Sequence, residues 1–292
     1  MSILKVTRTA AAILVVASAS VYAQAPAAYR APRTDGGHPD LNGIWQVLSE
    51  ANFDLEAHVA RPAMQTRPGP YGPVPAKDVL ALGAVGAVPP GMGVVECLRR
   101  EDCPQGGTIP YLPAALKKRN ENRDKWITSD PEIKCFLPGV PRATYEPYPF
   151  QIFENANSVF IAYEYAGAVR NIYMKDPGPA PVDSWMGQSV GHWEGDTLVV
   201  DVTGMNEDSW LDRSGNFHSD KLHVVERYTR TSPDVIMYEA TLTDPDTYSR
   251  PWKISMPLYR RQEKGVQLMD FKCAEFVEEL MYGKWRKKPL DP

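Results

Sequence analysis

Several things are missing from this sequence, and each absence closes off a class of function. Beyond residue 23 no apolar run approaches the ~20 residues that a membrane-spanning helix needs. Net charge is −4, and no block of like charge reads as a tail. The basic clusters "LKKRN" and "WRKKP" are too short to form the positive field that nucleic acid requires. There is no P-loop, no H-E-x-x-H and no dinucleotide fingerprint. No C-x-x-C occurs, and the cysteine spacing matches no zinc pattern. "GQSVG" places Ser189 between Gly187 and Gly191, but a strand pattern follows it. A nucleophile elbow needs strand, turn and helix, so a serine hydrolase is not indicated.

What is present begins with a targeting pattern. Lys5 and Arg8 precede the apolar stretch "AAAILVVASASV", and "VYA" puts small residues before Gln24. This reads as a secretory signal over residues 1–23, which predicts a periplasmic or secreted protein with no membrane anchor after cleavage. Export makes disulfides the default for the four cysteines. Cys97–Cys103 would be a local clip, and Cys135–Cys273 would tie a wide loop.

The remaining chain divides by texture. Residues 24–40 form a polar, Pro/Gly-rich lead-in. Residues 41–148 hold a first strand, "LNGIWQV" with Trp45 buried, then a Pro-rich irregular stretch and a helix ending at Asp130-Pro131. The stretch from Arg61 to Pro113 is too rich in proline for central strands or long helices. It is expected to wrap over the fold or to act as a lid or partner-binding arm. Residues 149–292 read as an antiparallel β domain. Segments rich in Val, Ile, Tyr, Phe and Thr alternate with the turn signals "ENANS", "WEGDT", "TSPD" and "EKG". The last expected strand is "VQLMDFKC", with "EFVEELMYG" a short terminal helix. The fold class is therefore mainly β: an antiparallel meander forming a barrel or strongly curved sheet, with one or two short helices.

The segments "HPDLNGIWQ", "DPEIKCFLPGVPR", "PFQIFENANSVFIAYEY", "GQSVGHWEGDTLVVDVTG", "KLHVVERYTR" and "YEATLTDPDTYSRPW" resemble, in that order, those of a large group of exported bacterial proteins. "GHWEGDTLVVDVTG" is the most specific of them. The resemblance implies export and a β-rich fold, and implies no reaction. In that group His-Glu follows the position of Cys273; here Ala274 stands in place of the histidine. Gly43-Ile44-Trp45 is also similar to the first strand of lipocalins, an analogy of shape.

Chemistry is sought among polar residues in or beside the strands. His192, His218 and His223 are candidate proton carriers, with Asp201 or Glu226 to orient an imidazole. H-x4-H-x2-E (His218, His223, Glu226) offers three ligand types. However, strand alternation puts His223 and Glu226 on opposite faces, so no metal and no cofactor is expected. Alternation also sets Glu226 beside Leu222, Val224 and Tyr228, a mostly apolar face. Arg170, Tyr173, Trp193 and Arg227 are candidate substrate-binding residues. Arg170 would anchor an anionic group, or pair with Glu226. For the in-strand charges the alternative is a set of cross-strand ion pairs on the outer wall.

The expected function is a pocket for a small, partly apolar organic molecule, which would also serve cofactor-free acid–base catalysis of a lyase, isomerase or hydrolase type. The alternatives are a non-catalytic carrier, or a structural protein that recognises a partner through its Pro-rich segment. Convergence of the histidines separates the catalytic reading from the others.

Overall fold

The computed structural model describes residues 29–59, 90–97, 106–271, 273 and 275, together with the backbone of four short strands between 61 and 88. The expected signal segment, part of the Pro-rich stretch and the expected terminal helix lie outside the described residues.

The strands are β1 (Gly43–Val47), β2 (Arg61–Pro62), β3 (Thr66–Gly69), β4 (Gly72–Pro75), β5 (Ala87–Val88), β6 (Phe150–Glu154), β7 (Val159–Tyr163), β8 (Val169–Tyr173), β9 (Gln188–Glu194), β10 (Thr197–Thr203), β11 (His223–Ser232), β12 (Val235–Thr243) and β13 (Trp252–Arg260). Nine of them close into a barrel in the order β1-β13-β12-β11-β10-β9-β8-β7-β6. Strict alternation builds it. Along β12, Ile236, Tyr238, Ala240 and Leu242 are buried while their neighbours are half-exposed, and β13 repeats the pattern from Trp252 to Leu258. One large apolar cluster fills the interior.

Two features depart from an antiparallel meander. First, β8 and β9 are parallel, and they pair only at Ile172–Ser189 and Tyr173–Val190. The chain returning to β9 follows the far side: Ser184 N–H donates to Gly204 O (2.9 Å), and Asn206 N–H donates to Ser184 O (3.0 Å). Gly187 makes this path possible. Its φ is +63°, and a Cβ there would lie 2.7 Å from both Met205 Cγ and Thr203 O. Val169 to Asn171 are therefore left unpaired on that edge. Second, "VQLMDFKC" is not a strand. With β1 already between β13 and β6, no edge is free at the seam beside β13. The segment instead carries Phe271 onto Tyr148 and Tyr165 and Cys273 to Cys135, with which it forms a disulfide. Cys97 is also disulfide-bonded; its expected partner, Cys103, lies outside the described residues.

One end of the barrel is capped. α1 (Pro113–Asp124) starts with Pro at its first position and buries Ala115 against Trp210 and Phe217. It ends at Lys125, and α2 (Trp126–Ser129) carries the chain on to Asp130. α3 (Arg142–Tyr145) delivers a fully buried arginine. Arg142 donates to both oxygens of Asp130 (2.8 and 2.9 Å), to Glu132 (2.6 Å) and to Asn52 (2.8 Å). The cap is thus tied by charge as well as by apolar contact. Parts of the Pro-rich stretch pack on the barrel. Val94 to Glu96 bond along the section of β13 that β1 leaves bare: Glu96 N–H donates to Lys253 O, and Ser255 N–H to Val94 O. Among the described residues no helix is long and apolar enough to cross a membrane.

Candidate functional site

The barrel interior holds one polar cluster in its apolar core, and β8 and β11 build it. Arg170 and Glu226 both sit at inward positions, and both are buried. The Arg170 guanidinium donates through Nη2 to Glu226 Oε2 and through Nε to Ser189 Oγ (2.8 Å). The other Glu226 oxygen accepts from the hydroxyls of Tyr228 (3.0 Å) and Tyr238 (2.8 Å). A buried carboxylate is tolerable only with such partners.

The electrostatics follow from burial. Burial opposes the Arg170 charge, but Glu226 and the surrounding tyrosines outweigh it and hold its pKa well above the ordinary arginine value. Burial, reinforced by the Glu226 charge, raises Tyr228 and Tyr238 well above the usual phenol range. Both therefore stay neutral and donate. Arg170 Nη1 makes no hydrogen bond of good geometry, and the Tyr163 hydroxyl, which makes none either, lies close enough to the guanidinium for the two to interact. Unmet donors at this depth are uncommon.

This cluster reaches the surface. Where β8 and β9 part, a recess of about 270 Å³ opens in the wall. Val169, Asn171 and Tyr173 line it from β8, and Val182 and Met186 from the connection before β9. Arg170 and Ser189, both buried, form its floor. Val169, Tyr173 and Val182 are exposed around the rim. Three of the residues singled out in the sequence, Arg170, Tyr173 and Glu226, are thus in or directly behind one recess.

The others are elsewhere. His223 and Asp201 pair with each other at 3.1 Å on the outer wall, each about two-fifths exposed. His192 faces Glu194 at 3.3 Å, and Arg227 donates to the same glutamate at 2.8 Å, also on the outside. These are solvent-exposed contacts, His192–Glu194 within β9 and the other two between strands, of the kind that contributes little to stability. Trp193 stacks face to face on His38, with ring centroids 4.6 Å apart. His218 is buried under the cap, where Nε2 meets Ser209 Oγ and Nδ1 meets Ser219 O, each at 2.8 Å. Burial lowers its pKa against the opposing pull of Ser219 O and Asp244. The imidazole is therefore neutral, donating from Nδ1 and accepting at Nε2. The histidines do not converge, and the acid–base arrangement built on them is not assembled. Among the described residues no group of three or more His, Cys, Asp or Glu is placed to hold a metal ion.

Sequence reasoning passed over Tyr238, Tyr163 and Ser189 as site residues. A signal existed for the first: Tyr238 is an inward position directly opposite Tyr228, which shares a face with Glu226. The signature "GHWEGDTLVVDVTG" proves structural at two positions. Gly191 faces inward, where a Cβ would lie 2.6 Å from Ile172 Cγ2, and Gly195 forms the β9–β10 turn at φ +60°.

Comparison with known protein families, with curated proteins and with solved structures finds no match to this chain.

Proposed function

We propose that this is an exported binding protein that takes a small, partly apolar organic molecule into the recess between β8 and β9. An acceptor group of the ligand, a carbonyl or carboxylate, faces Arg170 and Ser189. The observation that carries this reading is the state of Arg170. It is buried and charged, it is held in place by Glu226 and Ser189, it lines the recess, and one guanidinium nitrogen has no hydrogen bond of good geometry, with the Tyr163 hydroxyl beside the group. Ser189 accepts from Arg170 and keeps its own proton to donate. The apolar rim supplies the remaining contact, and the volume suits a ligand near the lower end of the usual ~300–1,000 Å³ range.

Binding without turnover is favoured over catalysis, because no imidazole or second carboxylate lies on the recess lining. Placement in the periplasm or outside the cell is supported by the Cys135–Cys273 disulfide and by the signal pattern of residues 1–23. The closed barrel with Gly43-Ile44-Trp45 in its first strand is in keeping with a lipocalin-like ligand-binding shape.

The test is a fragment screen by ¹⁵N–¹H NMR with small carbonyl and carboxylate compounds. Binders should shift the amides of 169–173 and 184–189, and Val169→Trp, which fills the rim from an exposed position, should abolish the shifts. A screen in which those amides never move, or move equally in the variant, refutes the reading.

A further inference from the structure

The end of the barrel away from the cap holds a second and larger cavity, of about 590 Å³. It opens between the lead-in at His38, the β6–β7 turn, the end of β8 and the end of β9. Val159 and Met174 supply apolar lining. The Trp193 indole, braced flat against His38 with an interplanar angle of 1°, supplies a rigid planar wall. A braced ring loses little entropy when a ligand packs on it.

The polar lining is one-sided. Lys175, Asn155, Asn157, His38 and His192 contribute to it, and no Asp or Glu does. Of the acids next to these residues in sequence, Glu154 and Asp176 are engaged elsewhere, and Glu194 is shared between Arg227 and His192 of the lining. Glu154 accepts from Leu41 N–H (2.9 Å) and Thr34 Oγ1 (3.3 Å), and Asp176 from Gly178 N–H (2.8 Å). Asn155 turns its oxygen to its own backbone, accepting from the N–H groups of Asn157 and Ser158 (2.9 and 3.0 Å), so its NH₂ is left to donate. Lys175 is exposed and has no ion-pair or hydrogen-bond partner among the described residues.

We propose that this mouth is a binding site for a small organic anion with a flat apolar body, an aryl carboxylate being the class. The ring lies on the Trp193–His38 wall over Met174 and Val159, and the carboxylate meets Lys175 and the Asn155 amide. This site is separate from the recess between β8 and β9 and does not depend on it.

The test uses 2-naphthoate as probe, with the neutral 2-naphthamide and the cationic 2-naphthylmethylammonium as controls, read by calorimetry and by the Trp193 indole N–H signal in NMR. Naphthoate should shift that signal and bind more tightly than either control. Lys175→Gln, a surface change that leaves packing intact, should weaken naphthoate about tenfold, as expected for one charge-assisted contact, and leave naphthamide unchanged. Trp193→Phe should weaken both. Val169→Trp, which blocks the other recess, should have no effect. A naphthoate affinity equal to that of naphthamide, an affinity indifferent to Lys175→Gln, or an unmoved indole signal overturns the proposal.

Discussion

Arg170 and Glu226 meet inside the barrel from strands that are not neighbours: β9 and β10 stand between β8 and β11. The pair therefore spans the lumen, and its two members are not interchangeable with single neutral residues. Arg170→Met leaves a buried carboxylate with only two tyrosine donors, and should cost ~3–5 kcal/mol. Glu226→Gln alone leaves the guanidinium unmatched and should also destabilise. The double variant should lose much less than the sum. Urea unfolding of all three variants measures the coupling; additive losses would show that the two charges do not depend on each other.

Asp212 makes stability fall with rising pH. Burial, with the nearby Asp54 charge adding to it, pushes this carboxyl up to about 7 against hydrogen bonds from Asn216 and Leu55. The fold therefore holds a proton that the unfolded chain releases near 3.8. The contribution is full below pH 3.8, shrinks as pH rises toward 7 and is gone above it. Asp212→Asn removes this titration but sets an NH₂ against one of the N–H donors around Asp212, so it should be the less stable protein while its stability no longer falls between about pH 4 and 7. Parallel pH profiles of urea midpoints for the two proteins would contradict this.

His218 works in the opposite direction. Its lowered pKa means that the fold prefers the neutral ring, so its contribution is present above pH 6.5 and is lost as pH falls toward the folded value. Ser209→Ala strips the partner from Nε2 and should cost ~1–3 kcal/mol. Nitrogen chemical shifts should report a proton on Nδ1 at neutral pH; a proton on Nε2 would reverse the assignment.

The Cys135–Cys273 disulfide closes a separation of 138 residues. Replacing both cysteines by serine should lower stability by ~4–5 kcal/mol on the chain-entropy account. Thermal and urea unfolding with the second disulfide intact give the value. A loss below ~1 kcal/mol would mean that the packing of Phe271 on Tyr148 and Tyr165 already fixes the segment without the bond.

The β texture, the buried Trp45 and the inward side of Glu226 were legible because alternation is local: face follows from parity along a strand. Parity also separates His223 from Glu226, as the structure has it. It says nothing about His218, which lies in the β10–β11 connection, or about which inward residues meet across the lumen. The parallel β8–β9 pair was hidden for a related reason. Short turn signals predict antiparallel neighbours, whereas the path after Tyr173 depends on Gly187 and on contacts with residues 203–206 that are distant in sequence. The final expected strand had the right composition, and it lacked only a vacant edge beside β13.

That vacant edge is missing because β1, the first stave, lies between β6 and β13. Its register joins Gly43 to Ile152 and Trp45 to Arg260. During synthesis the seam cannot be sewn until residue 260 has emerged, so the opening strand waits, unmatched on one side, for almost the whole chain. A chain stopped short of β13 therefore has no way to finish its barrel.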